Sequence, residues 1–455
     1  MTTEEITNPC LDILEPVKYD NSIESMVYED YEPQSQHNLD NRGSSIQIDI
    51  NAGDKYLIPS KSHLIIKGQL VRNNNNNPYD ADAQIALVNN AMMYLFSSVE
   101  YSVGSKLMER IINPGQVTSI LGYLTQPDDY NTSSGLKSCW NKDTTNYADS
   151  SEFIASVAAP VAGYTPGKNP QYNQGFAARR GLLMSSDPRG HFSFIIPFDH
   201  IFGFGLYNKV IYGVKHSLSL TRNTNDNLAI HRANGVADGK ISLSNITWRV
   251  PHVKPETVSL EKLRQAIVNK QSIPVAFPAR TCESNVVPQN RSVSWVANIV
   301  SGIEKPRWII VGFQTARNRT QEQNPAVFDN LNITNAYVSL DSEKYPRYDK
   351  TINFPLNDYS LLYEMFDNFK KEFHGFNSLI GGTQVNFATF KSLFPIVVFD
   401  VRHQSEKIKD GIANIRLQFD FNDVVPADTT SYTIIISDRL FILKSDGKNL
   451  TMLTS

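Results

Sequence analysis

The chain has 455 residues, of which 41% are hydrophobic, 10% aromatic and 20% charged, with a formal net charge of −3. That composition excludes a disordered or fibrous chain, and no apolar run approaches the ~18 residues that a membrane-spanning helix needs. A length beyond the roughly 250 to 300 residues at which a single hydrophobic core stops growing predicts two domains.

Charge is spread unevenly. Residues 1–40 hold ten acidic side chains against Lys18 alone, a net of −9, so the rest of the chain carries +6. Few aliphatic residues and no sustained period mark residues 1–43 as an acidic N-terminal arm. A solvated tail and an arm that folds only against something else are both open readings. Its charge would repel phosphates, which makes it a poor ligand for nucleic acid. The opening "MTTEEITNPC" lacks the basic start and apolar core of a secretory signal, so synthesis and assembly are expected in the cytoplasm or nucleus. Cys10, Cys139 and Cys282 show no CxxC spacing and are expected to be free thiols, and the Asn-x-Ser/Thr sequons are read as chance.

Beyond residue 43 the chain reads as strands. Ile46, Ile48 and Ile50 alternate with Gln47 and Asp49, the period of two that lays one face on a core. "RNNNNNPYDADA" at 72–83 is a loop. A helix candidate runs from Gly115 to Leu124, and about 126–190 is expected to be one long exposed loop. "FSFIIPF" (192–198) suits a strand covered on both faces. His216, Leu218 and Leu220 alternate with polar neighbours, and "ISLSNITWRV" (241–250) shifts its apolar parity as a β-bulge near Asn245 would. "PETVSLEKLRQAIVN" predicts a helix with Leu260, Leu263 and Ile267 on one stripe. "NDYSLLYEMFDNFKKEF" predicts another, with Leu362, Phe366, Phe369 and Phe373 on one stripe behind the capping candidates Asn357 and Asp358. "FPIVVFDV" (394–401) and "YTIIIS" (432–437) read as strands covered on both faces. Ile415, Leu417, Phe419 and Phe421 alternate cleanly with Arg416, Gln418 and Asp420.

A weak repeat preserves order. "VEYSVGSKLMER" (99–110), a helix, "FIIPFD" (194–199), "GVKHSLSLTRN" (213–223) and "ISLSNITWRV" have counterparts in the second half. These are "AYVSLDSEKYPR" (336–347), a helix, "PIVVFD" (395–400), "IANIRLQFDFN" (412–422) and "SYTIIISDRLFIL" (431–443). Such a repeat predicts two similar all-β domains, a pair of jelly rolls or related sandwiches.

"SGIEKPRWIIVGFQTARN", followed by "NITNAYVSLDSEKYP" and the helix "LLYEMFDNF", resembles the second jelly roll of the double jelly-roll major capsid proteins. The likeness is to the Polinton/Maverick and adintovirus type and to related proteins encoded in invertebrate genomes, and it spans about residues 44–445. It implies an all-β fold of two tandem jelly-roll sandwiches with a few short helices in the connections. The implied division is 1–43 arm, 44–254 first roll with the exposed loop, and 255–455 second roll opened by a linker helix. The resemblance further implies a structural protein whose homotrimers, pseudo-hexagonal in outline, tile an icosahedral DNA-virus shell. Its partners would then be itself, the capsid lattice, and penton or minor capsid proteins, and its location the virion. A domesticated virus-derived copy is an alternative. The sharpest part is the strand motif Lys305, Pro306, Arg307, Trp308, Phe313 and Gln314: a core strand whose polar ends hold neighbouring loops or subunits.

Rival chemistry lacks its signatures. The nine histidines include no HxH and no i, i+4 pair, "GVADGKIS" (235–242) misses the phosphate-loop pattern and reads as a hairpin turn, and Gly-x-Ser-x-Gly is absent. No catalytic residue, cofactor or metal is therefore expected. His216 reads as a hydrogen-bonded core or interface histidine. The arginines of "AARRG" (Arg179, Arg180) and "PRG" (Arg189) are candidates for loop or subunit contacts, and no specific nucleic-acid binding or membrane span is expected. A carbohydrate-binding sandwich, with tyrosines near 123–172 as sugar platforms, is the runner-up.

Overall fold

The computed structural model describes residues 20–454 except 36–38, 52, 54, 154–166, 298–304, 342, 348–350, 376–381, 405–413 and 447–449. Strands and helices are numbered along the chain. The first half holds a sheet ordered β8 (His191–Pro197), β4 (His63–Arg72), β12 (Gly239–Pro255), β3 (Tyr56–Leu57) and β9 (Ile211–Tyr212), with β1 (Ile23–Tyr31) also on β12. Facing it is a sheet ordered β2 (Ser45–Ile50), β10 (His216–Arg222), β6 (Phe96–Val103) and β7 (Lys106–Ile112). A ribbon of β5 (Ile85–Leu87) and β11 (Ile230–Arg232) lies beside them.

The second half repeats the plan. One sheet is ordered β13 (Ile273–Val286), β20 (Thr429–Ser445), β15 (Lys305–Thr315) and β18 (Val397–Asp400), with β21 (Leu450–Thr454) also on β20. The other is ordered β14 (Ser292–Ala297), β19 (Ile415–Phe421), β16 (Ile333–Leu340) and β17 (Glu343–Tyr345). Each pairing of the sequence repeat is therefore a pairing of strands in equivalent sheet positions: β6–β7 with β16–β17, β8 with β18, β10 with β19, and β12 with β20. The helices are α1 (Ala91–Tyr94), α2 (Pro114–Thr125), α3 (Gln174–Met184), α4 (Phe198–Ile201), α5 (Thr257–Val268), α6 (Ser360–His374) and α7 (Phe387–Leu393). The fold is a double jelly roll.

Alternation explains the sheets. Ile46, Ile48 and Ile50 stand opposite Leu220, Leu218 and His216, which stand opposite Val99, Tyr101 and Val103, and all nine are buried. Rows of this kind across three strands remove whole side chains from water, at about 1.5–3 kcal/mol for each large aliphatic. The bulge expected near Asn245 falls between Leu243 and Asn245. β15 is buried without a break from Trp308 to Gln314, as are Pro395 to Phe399 and Tyr432 to Ser437.

One open reading is decided and three expectations are corrected. In the arm over 1–43, Ile23–Tyr31 folds as strand β1 against β12 from Trp248 to Pro255. Its acids are neutralised locally: Glu24 by Lys254, Glu29 by Lys55 and Asp30 by Arg249. Residues 1–19, with Cys10, lie outside the described residues. Strand β8 is covered on one face only, with Phe192, Phe194 and Ile196 inward and Ile195 exposed. Helix α6 begins at Ser360 behind Tyr359 with no side-chain cap: of the two capping candidates, Asn357 accepts from the Lys391 ammonium and Asp358 lies in a backbone bridge with Asn353, both ahead of the N-cap position. The 126–190 segment is not simply an exposed loop: it contains α3 and buries Trp140 and Phe176.

Candidate functional site

The polar chemistry of this chain concentrates at the seam where the two rolls meet. Glu109 on β7 is fully buried, and its carboxylate accepts backbone N–H groups from Gly203 (3.1 Å), Phe204 (3.1 Å) and Arg280 (2.8 Å). Arg280 belongs to β13, so a carboxylate on the edge strand of one roll caps the edge strand of the other. Burial pushes the Glu109 carboxyl above its ordinary range, against the opposing pull of the Arg280 guanidinium and the three N–H groups. The Arg280 guanidinium donates in turn to the carbonyls of Asp199, His200 and Ile201 at the end of α4, where a helix leaves carbonyls without intrahelical partners. The backbones approach so closely that a Cβ on Gly203 would stand 1.8 Å from the Pro278 carbonyl oxygen, so glycine is required there.

A second clasp comes from the segment after β15. Gln321 reaches across and makes both bonds a neighbouring strand would make, donating to the Gly239 carbonyl and accepting from the Gly239 N–H, each at 2.8 Å. Asp226 accepts from Ile241 N–H (3.0 Å) and Asp40 from Leu243 N–H (2.6 Å), so side chains satisfy the edge of β12 that β1 leaves uncovered. The Tyr94 and Tyr123 hydroxyls donate to the carbonyls of Pro325 and Ala326, both at 2.8 Å. Gln384 donates to Gly122 and accepts from the Trp140 indole. One contiguous apolar cluster accordingly runs through both rolls.

The sequence-derived candidates fall as follows. Trp308 is buried, edge-on to Phe369 with ring centroids 4.8 Å apart, and the Arg402 guanidinium lies 4.5 Å above it. Arg307 pairs with Asp438 on β20, Lys305 is exposed, Pro306 is buried and Phe313 lies in the core. Gln314 donates to the carbonyls of Pro325 and Val327, fixing the segment that clasps the first roll. Arg179 is buried: it pairs with Asp143 at 2.6 Å and donates to Leu87 O, while Asp143 also accepts from Asn173 and Asn324. This arginine ties the 126–190 segment to the first roll at Leu87, and its partner Asp143 carries the tie to the second roll through Asn324. Arg180 donates to the carbonyls of Ala81 and Ala83, and Arg189 is exposed. His216 is a core histidine, its Nδ1 2.7 Å from the Tyr101 hydroxyl. Among the tyrosines considered as sugar platforms, Tyr123 is buried in the seam.

Glu109, Gly203, Arg280 and Gln321 were not singled out by the sequence. In "KLMERII" Glu109 looks like surface charge beside Arg110, and nothing local says which edge it will meet. Among the described residues, no three His, Cys, Asp or Glu side chains gather as a metal-binding group, and no helix is long and apolar enough to cross a membrane.

Residues 169–441 match the double jelly roll-like domain family. The chain belongs to that family. No curated protein sequence matches it. Solved structures with similar folds include a chain of the Sputnik virophage, at 12% identity and a TM-score of 0.56, covering 100% of this chain and 93% of that one. The Faustovirus major capsid protein matches at 7% identity and a TM-score of 0.53, covering 98% and 93%. The mavirus major capsid protein matches at 10% identity and a TM-score of 0.50, covering 100% and 96%. At such identities the likeness of this double jelly-roll chain to them is one of fold.

Proposed function

We propose that this double jelly-roll chain is a non-enzymatic major capsid protein whose homotrimers, pseudo-hexagonal in outline, tile an icosahedral shell. The observation that carries the reading is the whole-chain match: both rolls, in order, align over nearly all of the Faustovirus and mavirus major capsid proteins. The internal architecture supports it. Two rolls with equivalent strand order, held rigidly by a buried seam, supply six similar units to a ring of three chains, the geometry a hexagonal lattice needs. The domain division that serves this function is a first roll that takes in β1 and ends at Pro255, the linker helix α5, and a second roll from Ile273. A Polinton/Maverick or adintovirus-type origin, a virion location, assembly in cytoplasm or nucleus, and penton or minor capsid partners belong to the same reading.

The test is mass measurement by light scattering on a size-exclusion column, followed by electron microscopy of the peak. Trimers with a hexagonal outline that assemble further are expected. A monodisperse monomer under every salt and pH condition would sink the capsid reading.

A further inference from the structure

The helix that links the two rolls is thinly covered. None of the twelve residues of α5 is buried. Leu260 and Leu263 touch a small apolar cluster of Tyr56, Ile58 and Val253, which is separate from the core that runs through both rolls. Ile267 continues their stripe but packs against neither cluster, and Val268 on its flank is 66% exposed. Lys262, Arg264 and Lys270 are exposed and form no ion pair among the described residues. An amphipathic stripe left half-covered beside unpaired cations is a surface without its partner. The start of the described chain lies against this helix. The Ser22 carbonyl accepts the backbone N–H of Glu256, the N-cap residue of α5, at 2.9 Å, so the residues before 20 enter beside its first turn. Residues 1–19 carry Glu4, Glu5, Asp12 and Glu15 against Lys18, and Leu11, Ile13, Leu14 and Val17 fall close together within them.

We infer that residues 11–17 pack along α5 of their own chain, the four aliphatic side chains covering the face of Leu263, Ile267 and Val268 while Asp12 and Glu15 meet Lys262, Arg264 and Lys270. The chain's own segment is the occupant because Ser22 already fixes its exit to Glu256 of the same chain. Length allows it: α5 is about 18 Å long, and residues 11–19 reach up to about 32 Å when extended. Charge favours it. In the next stretch of the same arm, each acid of β1 is matched by a cation of the surface beneath it, Glu24 by Lys254, Glu29 by Lys55 and Asp30 by Arg249. Exposed ion pairs contribute little energy, so the aliphatic side chains hold the contact and the charges set its register. The acidic segment thereby becomes a strap on the joint between the rolls, a role that does not depend on the capsid reading.

The experiment takes the full chain and joins touching carboxylates and lysines with a zero-length carbodiimide crosslinker. Products are separated on a denaturing gel, and the crosslinked peptides are identified by mass spectrometry. Links from Asp12 or Glu15 to Lys262 or Lys270 are expected in the band at the single-chain mass of 51.2 kDa. The same links confined to a band of two chains place the segment on another copy and overturn the proposal, as does their absence from every band. Hydrogen exchange supplies a second readout. The double variant Ile13→Lys with Leu14→Lys is expected to speed amide exchange in α5 at least about tenfold while leaving β15 unchanged. Exchange in α5 that is the same in parent and variant overturns the proposal whatever the crosslinks. If that variant fails to fold, deletion of residues 1–17 takes its place with the same expectation. Both readouts concern peptides of one chain, so they decide this contact whether or not the protein forms trimers.

Discussion

The Glu109 carboxylate accepts the Arg280 backbone N–H at 2.8 Å, so where β7 approaches β13 the two edge strands are joined by a buried acid and not by a strand ladder. Glu109→Ala would strand three buried N–H groups and leave the Arg280 guanidinium without its counter-charge. A loss of about 3–5 kcal/mol in denaturant stability is expected. Glu109→Gln keeps an acceptor oxygen and should lose less. Equal losses in the two variants would argue that charge, and not hydrogen bonding, closes the seam.

Trp308 is expected to tolerate truncation poorly. Its ring lies between Phe369 and the Arg402 guanidinium, so Trp308→Ala removes a buried aromatic and leaves a cavity. The expected cost is about 3–5 kcal/mol, measured by chemical denaturation, with Trp308→Phe milder. A variant that melts like the parent would contradict the packing of β15.

Gly203 should accept no side chain. A Cβ there meets the Pro278 carbonyl, which is backbone and cannot swing aside. Gly203→Ala should cost about 1–3 kcal/mol through overpacking and loosen β13 from the first roll. Faster amide exchange across β13 in the folded variant is the readout.

Acid should destabilise the fold before its carboxylates titrate. Burial holds His216 at about 3 and His231 at about 4, while an unfolded histidine titrates near 6.5. Below that pH the unfolded chain binds protons that the native chain refuses. The stability these groups contribute is therefore complete above about pH 6.5 and is lost as pH falls toward 4, at up to about 1.4 kcal/mol per pH unit for each histidine. Denaturant midpoints measured between pH 7.5 and 5 should fall accordingly, and His216→Gln should flatten the slope by one proton.

Strand β1 should loosen with salt. Its ion pairs to Lys254, Lys55 and Arg249 are solvent-exposed, and exposed pairs are screened within a few ångströms at about 1 M salt. Amide exchange over Ile23–Tyr31 is expected to quicken with added salt while that of β15, buried on both faces, does not. Salt-independent exchange of β1 would point to its backbone ladder as the whole of its attachment.

Alternation and repeat order made the strands of both rolls legible, because a half-buried strand writes its inward face into every second residue. His216 was readable for that reason, and so was the bulge beside Asn245. The seam was not legible. Glu109, Gln321 and Arg280 act across distances that no local pattern records, and an acid that caps another strand's edge looks in sequence like any surface acid. Arg179 shows the same blindness from the other side. Its short basic run made it a candidate for loop or subunit contacts without saying which, and the fold turns the guanidinium inward to Asp143. Helix α3 escaped notice because polar hydrogen bonds at Asn173 and Arg179 help anchor it, and its apolar residues form no long stripe.

The clasp after β15 has a consequence for how the chain is made. The strands of the first roll are all synthesised once Pro255 is in place, yet the carbonyls that receive Tyr94 and Tyr123, and the Gln321 amide that pairs with Gly239, come only with residues 321–326. At ordinary ribosomal speed that is a delay of roughly 4 to 14 s. During it the α2 face and part of the β12 edge stand without their cover on the nascent chain. Because the apolar cluster is shared between the rolls, the first roll gains its full stability only when the second reaches it. The two rolls are separate in topology, and they mature together.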